Sequence, residues 1–227
     1  MKRYNNSRIL CFGDTHSPFH NKGCLSFLKQ LKEEYKPDRV IMNGDLSDSY
    51  YFSAFTKDCI AGSFREELLG LRQFSGELHE IFPEMVITDS NHDARLWRKS
   101  TQNGIPREML VTYKEMIGAK KFKGWKQVED IILTVDKTRE PIYIAHTRAG
   151  TTMTCSRQLG MSVVTSHKHN SQGIQFWSNG RKNFFAADTG CLIDHSGYAF
   201  AYGRLTVGKP MHGALVIING VPRIVQL

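Results

Sequence analysis

Acidic, amide and imidazole side chains follow five apolar segments of this chain, at the point where each segment ends. The composition of these segments predicts buried β-strands over Arg8 to Phe12, Arg39 to Met42, Met85 to Thr88, Pro141 to Ala145 and Ser162 to Thr165. The polar residues that follow them are Asp14, His16, Asp45, Asn91, His146, His167 and His169. Since the ends of such strands meet at one edge of a sheet, we expect these side chains to converge.

Two carboxylates, one amide and four imidazoles form a set of oxygen and nitrogen donors without a thiolate. This set suits divalent manganese, iron or zinc better than calcium or a cysteine-based zinc site. It therefore predicts a site for two divalent metal ions, with manganese as the first choice and iron, zinc or nickel as alternatives. A lone histidine is more often packed or solvated than a ligand, so His20, His79, His195 and His212 are not assigned to the site.

The same residues occur in five short motifs, namely GDTH, GDLSD, SNHD, the histidine of YIAH, and SHKH. In this order they resemble the signature of the calcineurin-like metallophosphoesterase superfamily, from Gly13 to His169. The segment from Gly173 to Ala201 also resembles small single-domain members that are common in bacteriophages. The resemblance implies an α/β fold, a four-layer αββα sandwich of two mixed β-sheets flanked by helices, in a single domain over residues 1–227.

The resemblance also implies a role for each motif residue. One metal would be held by Asp14, His16, Asp45 and His169, and the other by Asp45, Asn91, His146 and His167. Asp45 would then bridge two ions about 3.5–4 Å apart, which share a hydroxide that acts as the nucleophile. His92 would face the substrate and protonate the leaving oxygen, while Asp48 would orient its ring.

Serine replaces glycine at two places in the family pattern. Ser90 precedes Asn-His and Ser166 precedes the final His-x-His, where glycine is usual. Glycine permits a tight turn or a close backbone approach, so serine indicates either an ordinary backbone conformation or a reshaped rim. Asp93, in the same SNHD motif, either orients the site or caps the helix that follows.

A third departure concerns phosphate binding. Phosphoprotein phosphatases continue GDxxD with Arg-Gly, whereas Ser49 and Tyr50 follow GDLSD in this chain. The arginine that clamps a phosphomonoester is therefore absent from that position. Arg95 and Arg148, each close in sequence to a site residue, are the candidates to bind the substrate phosphate instead.

Helical patterns lie between the strands. Apolar spacing predicts a helix from Lys22 to Tyr35, and the capping-box pair Ser63 and Glu66 predicts the start of a second. A third helix is predicted from Pro106 to about Ile117, because proline is favourable in a first turn. After His169 the pattern changes to strands, which end in a hairpin over residues 214–225 with an Asn-Gly turn.

Length and composition indicate one domain, because 227 residues with 41% hydrophobic content form one substantial core and no linker divides them. No apolar run is long enough to cross a membrane or to serve as a signal peptide. The cysteines are odd in number and lack CxxC spacing, so we expect reduced packing residues of a cytoplasmic protein. They are Cys11, Cys24, Cys59, Cys155 and Cys191.

Positive charge is concentrated in the second part of the chain. The net charge is +8, and residues 91–227 hold 19 lysines and arginines against 9 aspartates and glutamates. The basic residues are densest from Arg95 to Lys126, where Trp97, Tyr113, Phe122 and Trp125 lie among them. Cations beside aromatic rings suit a polyanion whose bases stack, although a solvated basic surface over core aromatics gives the same pattern.

These observations favour a hydrolase of phosphodiester bonds that acts on nucleic acid or nucleotides. The first alternative is a phosphomonoesterase for phosphoproteins or small molecules. The second is a nucleic-acid-binding module with a structural metal site, although such a site has no use for a leaving-group acid like His92. The sequence indicates no membrane association and does not specify a protein partner.

Overall fold

The computed structural model describes residues 6–54, 57, 62–135, 140–196 and 208–227. Within these residues, one β-sheet has six strands in the order β11-β10-β1-β2-β3-β4 and the other has five in the order β5-β6-β7-β9-β8. The strands of the first sheet are β1 (Arg8–Phe12), β2 (Arg39–Met42), β3 (Met85–Thr88), β4 (Trp125–Val128), β10 (Gly213–Ile218) and β11 (Val221–Gln226). Those of the second are β5 (Ile131–Thr134), β6 (Pro141–Ile144), β7 (Ser162–Thr165), β8 (Gln172–Ser178) and β9 (Asn183–Thr189).

The described helices cover the outer faces of the two sheets. They are α1 (Cys24–Tyr35), α2 (Phe64–Ile81), α3 (Arg95–Gln102), α4 (Tyr113–Met116) and α5 (Thr152–Leu159). Single 3₁₀ turns span Tyr50–Phe52 and Arg107–Met109. No described helix is long and apolar enough to cross a lipid bilayer.

Successive side chains of each strand point to opposite faces of the sheet, and this produces three packed layers of apolar side chains. In β1, Ile9 and Cys11 pack against residues of the second sheet, such as Ile144. Leu10 and Phe12 point the other way and pack with side chains of α1 and α2. On the far side, Tyr143 and Val163 of the second sheet pack against Cys155 of α5. The layers run helix, sheet, sheet, helix, which confirms the predicted αββα sandwich.

The five strands predicted from apolar segments are all present, and only β6 ends one residue earlier than predicted. The Ser63–Glu66 capping box opens α2 as predicted, and the terminal hairpin is confirmed with Asn219 and Gly220 at positive φ. Such a turn matches the right-handed twist of the flanking strands. The four cysteines within the described residues are free and buried, whereas Cys59 lies outside the described residues.

The predicted helix from Pro106 to Ile117 is wrong. Pro106 has an extended ψ of 144° and precedes a single 3₁₀ turn, and Leu110 is extended again. The short helix α4 begins only after Thr112, whose side chain accepts a hydrogen bond from the Glu115 backbone N–H in a second capping box. Competition from this cap explains why the segment does not continue as one helix.

Sheet topology places the polar motifs at one edge of the molecule. Strands β1, β2 and β3 are parallel neighbours, and so are β6 and β7 in the other sheet. Carboxyl ends of parallel strands lie at the same edge of a sheet. The five loops that follow these strands therefore meet, as the apolar segments of the sequence predict.

Glu67 of α2 connects this edge to the outer helices. Its buried carboxylate accepts hydrogen bonds from the backbone N–H groups of Tyr50 at 2.8 Å and Tyr51 at 3.2 Å. Burial, followed by the charge of Asp48, raises the Glu67 pKa from an ordinary 4.5 to about 7. The folded protein thus binds this proton more tightly than the unfolded chain does.

A pH dependence of stability follows from Glu67. Its contribution is fully present below pH 4.5 and is lost as pH rises through 7, with a loss of up to about 3 kcal/mol. We expect urea unfolding of the wild type and of Glu67→Gln at pH 5 and pH 8 to show a smaller decrease in unfolding free energy for the variant. Equal decreases for both proteins would contradict the assignment.

Candidate metal centre

The seven side chains predicted as ligands lie together at the shared strand edge, and they form two groups. Asp14, His16 and His169 place one ligand atom each within 4.8 Å of one another. Asp45, His146 and His167 form a second group by the same measure. A third group by the same measure is formed by His16, Asp45 and His92. The first two groups fall within the two ligand sets that the family resemblance implies, which add the amide of Asn91 and share Asp45.

Asp45 lies between the two groups. Its Oδ2 atom is 3.4 Å from His16 Nε2 and 3.2 Å from His146 Nε2. The Asn91 amide joins the second group, because its Oδ1 atom is 3.1 Å from His146 Nε2. The Asp45 carboxylate therefore lies within reach of side chains of both groups.

In the first group, polar atoms face one another with little space between them. His169 Nε2 lies 3.2 Å from Asp14 Oδ1 and 3.0 Å from His16 Nε2. Asp14 Oδ1 and Asp45 Oδ2 are buried and accept no hydrogen bond of normal geometry from any described residue. Buried carboxylate oxygens need a partner, so these two atoms fit a bound cation.

The outer ring nitrogens of two histidines are already engaged. His146 Nδ1 donates to the backbone carbonyl of Asn43 at 2.9 Å, and His16 Nδ1 donates to Asp48 Oδ1 at 2.7 Å. A proton on Nδ1 leaves the lone pair on Nε2, which points into the cluster in both rings. This is the usual way in which a protein orients metal-binding histidines.

The backbone supports the same interpretation. Asp14, His16, Asp45 and His167 all have positive φ, between 47° and 75°. Non-glycine residues rarely adopt this conformation, which costs of order 1–3 kcal/mol each. Strain at four residues of one cluster is typical of a functional site.

Comparison with known proteins agrees with this geometry. A family model described as calcineurin-like phosphoesterase matches residues 7–220. The chain belongs to the calcineurin-like phosphoesterase family. This membership supports a metal-dependent hydrolase.

Solved structures also resemble the chain, at low sequence identity. The phosphoesterase YfcE from E. coli is 9% identical over 96% of each chain, with a TM-score of 0.46. Vps29 from Chaetomium thermophilum is 14% identical over 92% of this chain and 82% of that one, with a TM-score of 0.44. TT1561 of Thermus thermophilus is 11% identical over 82% and 90%, with a TM-score of 0.37. No curated protein matches the chain significantly.

Asn43, between β2 and Gly44, is a buried residue that the sequence analysis missed. Its amide N–H₂ donates to the Ala145 carbonyl and to Ser166 Oγ, both at 3.0 Å, and its Oδ1 accepts from Thr88 Oγ1 at 2.9 Å. Asn43 thus joins the ends of strands from both sheets beneath the metal-binding residues. The sequence feature that could have identified Asn43 is an amide side chain directly after an apolar strand.

The two serines that replace the glycines of the family pattern form hydrogen bonds with the site loops. Ser90 Oγ accepts from the Asp45 backbone N–H at 2.8 Å and donates to Asp93 Oδ2 at 2.8 Å. Ser166 Oγ lies 2.7 Å from Thr189 Oγ1 in addition to its contact with Asn43. Neither serine removes a ligand, and Ser90 connects the GDLSD and SNHD motifs.

Asp93 holds the loop after Asp45. Its carboxylate accepts hydrogen bonds from Ser47 N at 2.9 Å and Ser47 Oγ at 2.7 Å. The N-cap residue of α3 is Ala94, and this helix end has no side-chain cap. The structure therefore favours the interpretation that Asp93 orients the site over the interpretation that it caps α3.

His92 lies beside the cluster and contacts both Asp48 and Arg95. Its Nδ1 donates to the Asp48 carbonyl at 2.9 Å and is 3.2 Å from Asp48 Oδ1. The Arg95 guanidinium donates to the same carbonyl at 2.8 Å and to His92 Nε2 at 2.9 Å. Asp48 therefore holds two imidazoles, since its carboxylate also binds His16.

The structure does not bring Arg148 to the metal centre. Its guanidinium binds the Asp130 carboxylate and the Tyr143 hydroxyl, and it lies 3.8 Å from Glu129. These contacts hold the side chain toward the turn between β4 and β5. Of the two arginines considered for phosphate binding, only Arg95 contacts a residue of the site in the described structure.

The basic segment is divided between two ends of the first sheet. Residues 120–123 precede β4, which is parallel to β3 with Met85 opposite Trp125. Asn91 follows the other end of β3, so Lys120, Lys121 and Lys123 lie toward the edge opposite the metal centre. Trp125 is fully buried and its indole N–H donates to the Phe82 carbonyl, so it is a core residue and does not stack on a ligand.

Proton release should accompany metal uptake. Burial alone would lower the His16 pKa, but the neighbouring carboxylates of Asp14, Asp48 and Asp45 raise it to about 10 in the protein without a metal ion. A cation must displace this proton, so apparent metal affinity should rise with pH up to about 10. Calorimetric titration with Mn²⁺ in buffers of different ionisation enthalpy measures the released protons, and a heat independent of the buffer would contradict the prediction.

Loss of the shared carboxylate should affect both ions. We expect wild-type protein to bind two transition ions per chain, and Asp45→Ala to bind fewer than one tightly, by elemental analysis after desalting. Asp188→Asn is the matched control, because the Asp188 carboxylate on β9 binds Thr152 and Thr165 outside the cluster. Full retention of one ion by Asp45→Ala would show that the carboxylate does not bridge.

Proposed function

We propose that this protein uses two divalent metal ions to hydrolyse phosphodiester bonds in nucleic acid or nucleotides. Manganese is the favoured identity of both ions. One observation carries the proposal, namely two ligand groups that share Asp45 and lie beside His92 and Arg95. Two bound dications would supply an activated water as nucleophile and would neutralise charge on the phosphoryl oxygens. The first would be held by Asp14, His16, Asp45 and His169, and the second by Asp45, Asn91, His146 and His167.

Arg95 is the residue proposed to bind the phosphate. Its guanidinium carries fixed donors that suit phosphate oxygens, and contacts with Asp48 and His92 hold it at the edge of the cluster. Movement of this group onto a substrate phosphate would leave His92 Nε2 without its present donor. His92 Nε2 would then hold the proton that passes to the leaving oxygen, while Nδ1 stays fixed by Asp48.

The charge near the site supports a diester more than a monoester. A phosphodiester carries one negative charge, whereas a monoester carries close to two at neutral pH. The position after GDLSD, where the phosphoprotein phosphatases have an arginine, is Ser49 with a left-handed backbone. Arg95 is then the guanidinium that contacts the site among the described residues, and the arginine that clamps a phosphomonoester in those phosphatases has no counterpart after GDLSD.

Further cations near Arg95 support a polyanionic substrate. The Lys57 pKa is lowered by burial and then by the positive charge of Arg95, and Lys99 adds to this effect while the carboxylates of Glu67 and Asp48 oppose it. Lys57, Arg95 and Lys99 therefore lie within electrostatic reach of one another. A cluster of like charges is unfavourable by itself and is relieved by a bound anion. Nucleic acid and nucleotides supply such anions beyond the scissile phosphate.

Two chromogenic substrates test the reaction class. With added Mn²⁺, we expect a higher kcat/KM for bis-p-nitrophenyl phosphate than for p-nitrophenyl phosphate. The reverse order would indicate a phosphomonoesterase, in which Arg95 would bind the phosphate of the monoester. Hydrolysis of neither ester, together with two bound ions, would indicate a nucleic-acid-binding module with a structural metal site.

His92 should act on the chemical step. We expect His92→Ala to lower kcat by about a hundredfold or more with metal content unchanged, since general acid catalysis contributes on the order of 10²–10⁴. A substrate with a better leaving group, such as a 2,4-dinitrophenyl ester, should lose less. The exposed His195, which stacks on His212, provides the control His195→Ala. Loss of metal from His92→Ala, with the same residual rate for both leaving groups, would exclude the acid role.

Arg95 and Arg148 can be separated by parallel substitutions. Charge-assisted hydrogen bonds of this kind contribute roughly 1.5–3 kcal/mol, so Arg95→Gln should reduce kcat/KM for the diester by about 10- to 150-fold. Arg148→Gln should change it less than about twofold, because Asp130 and Tyr143 hold that side chain. A larger effect at Arg148 than at Arg95 would reverse the assignment.

A further inference from the structure

An open cavity of about 680 Å³ lies beside the metal centre. One wall is a face of α3 and the other is the segment of residues 107–113, and Ser90 and Asp93 contribute to the lining. These two residues also bind the loop after Asp45, so the cavity adjoins the ligands. Its volume falls within the range of about 300–1,000 Å³ that is typical of small-molecule sites. We call it the α3 cavity.

An aromatic wall is fixed in the α3 cavity. The indole N–H of Trp97 donates to the Val111 carbonyl at 3.2 Å, and the ring centroid lies 6.2 Å from that of Tyr113. Trp97 is partly exposed, unlike the fully buried Trp125. Trp97 also packs partly against the core, so a hydrogen bond and packing hold the indole while its exposed part can stack on a planar group.

Polar groups with unused capacity line the same cavity. The Tyr113 side chain is only 7% exposed, and its hydroxyl lies against the Asp93 carboxylate without a hydrogen bond of normal geometry to any described residue. Gln127 and Asp89, joined by a hydrogen bond of 2.6 Å, add an amide carbonyl and a carboxylate oxygen to the lining. A planar group with both donors and acceptors on its edge would satisfy these atoms, as a nucleobase does.

Two cations complete the α3 cavity. Arg98 and Arg107 are exposed and line it, and neither has a carboxylate partner among the residues that the structure describes. Unpaired guanidinium groups beside an aromatic ring are typical of sites that bind phosphate and base together. The α3 cavity therefore differs from a purely apolar recess.

We propose that the α3 cavity binds the base of a nucleotide whose phosphodiester lies at the metal centre, with the base stacked on Trp97. The proposal rests on the proposed diesterase function and adds a site for substrate recognition. Gln127 and Asp89 contact the edge of the base, and Arg98 and Arg107 contact neighbouring phosphates. The substrate class is thus a nucleotidyl diester, and a simple alkyl diester lacks the recognised group.

Paired esters with a common leaving group test the substrate class. The p-nitrophenyl ester of thymidine 5′-monophosphate and methyl p-nitrophenyl phosphate have the same scissile bond and differ in the nucleoside. We expect Trp97→Ala to lower the ratio of kcat/KM for the nucleotide ester to that for the methyl ester by about 5- to 150-fold, as loss of one stacked base predicts. Trp97→Phe, which keeps an aromatic ring, should lower the ratio less.

Trp177 supplies the matched control. It is partly exposed on the other sheet, and its indole N–H donates to Ser156 Oγ at 2.7 Å. Trp177→Ala should leave the ratio at its wild-type value, and near-ultraviolet circular dichroism of each variant checks that the fold is retained. An unchanged ratio in a folded Trp97→Ala would overturn the proposal.

A binding measurement separates base recognition from catalysis. Thymidine 5′-monophosphate should quench the tryptophan fluorescence of the wild type but not that of Trp97→Phe, with and without a chelator. Quenching that is equal in both proteins would overturn the base site, even if the diesters are hydrolysed. Quenching that requires Trp97, in a protein that hydrolyses neither ester, would support the base site and reject the proposed diesterase function.

Discussion

The Asp45 carboxylate lies between ligands that come from two different β-sheets, and the rest of the site depends on keeping it there. His16 follows a strand of the first sheet and His146 a strand of the second, and Asp45 Oδ2 is within 3.4 Å of a nitrogen of each. This geometry survives only if the two sheets keep their relative position. The apolar layer between the sheets stabilises their packing by burying hydrophobic surface. Asn43 fixes their relative position with hydrogen bonds from one sheet to the other.

Close packing and strain accompany this arrangement. Gly44 has a φ of 76°, and a Cβ atom there would lie 2.6 Å from His146 Nδ1, so glycine is required where the loop after β2 contacts the imidazole. Buried carboxylate oxygens of Asp14 and Asp45 have no hydrogen-bond donor of normal geometry within the described residues. Such features oppose folding, and cation binding would offset them. The centre is therefore organised for binding charge at some cost in stability.

In the proposed function, the substrate reaches the metal centre from the side of α3. Asp93 and Ser90 hold the Asp45 loop from one side and line the α3 cavity from the other. Arg95, at the start of α3, contacts the only histidine of the SNHD motif. The proposed phosphate binding and proton transfer, and part of the proposed recognition of a base, thus come from one short helix and the loop before it. The terminal hairpin and β8 lie in other parts of the sandwich and contribute no residue to this group.

The sequence by itself determined the five strands, the ends at which polar residues follow, and the family pattern, because each signal is local. An apolar run ended by Asp or His needs no knowledge of distant residues. Only the tertiary structure decided which cations meet the centre, since Arg95 and Arg148 are equally near to motif residues in the chain but only Arg95 contacts one in space. It also decided that Trp125 is a core residue whereas Trp97 is partly exposed, and that Lys120 lies toward the far edge of the sheet. The exposure of a side chain and the direction in which it points depend on how strands and helices pack. This packing is a relation between residues that are far apart in sequence.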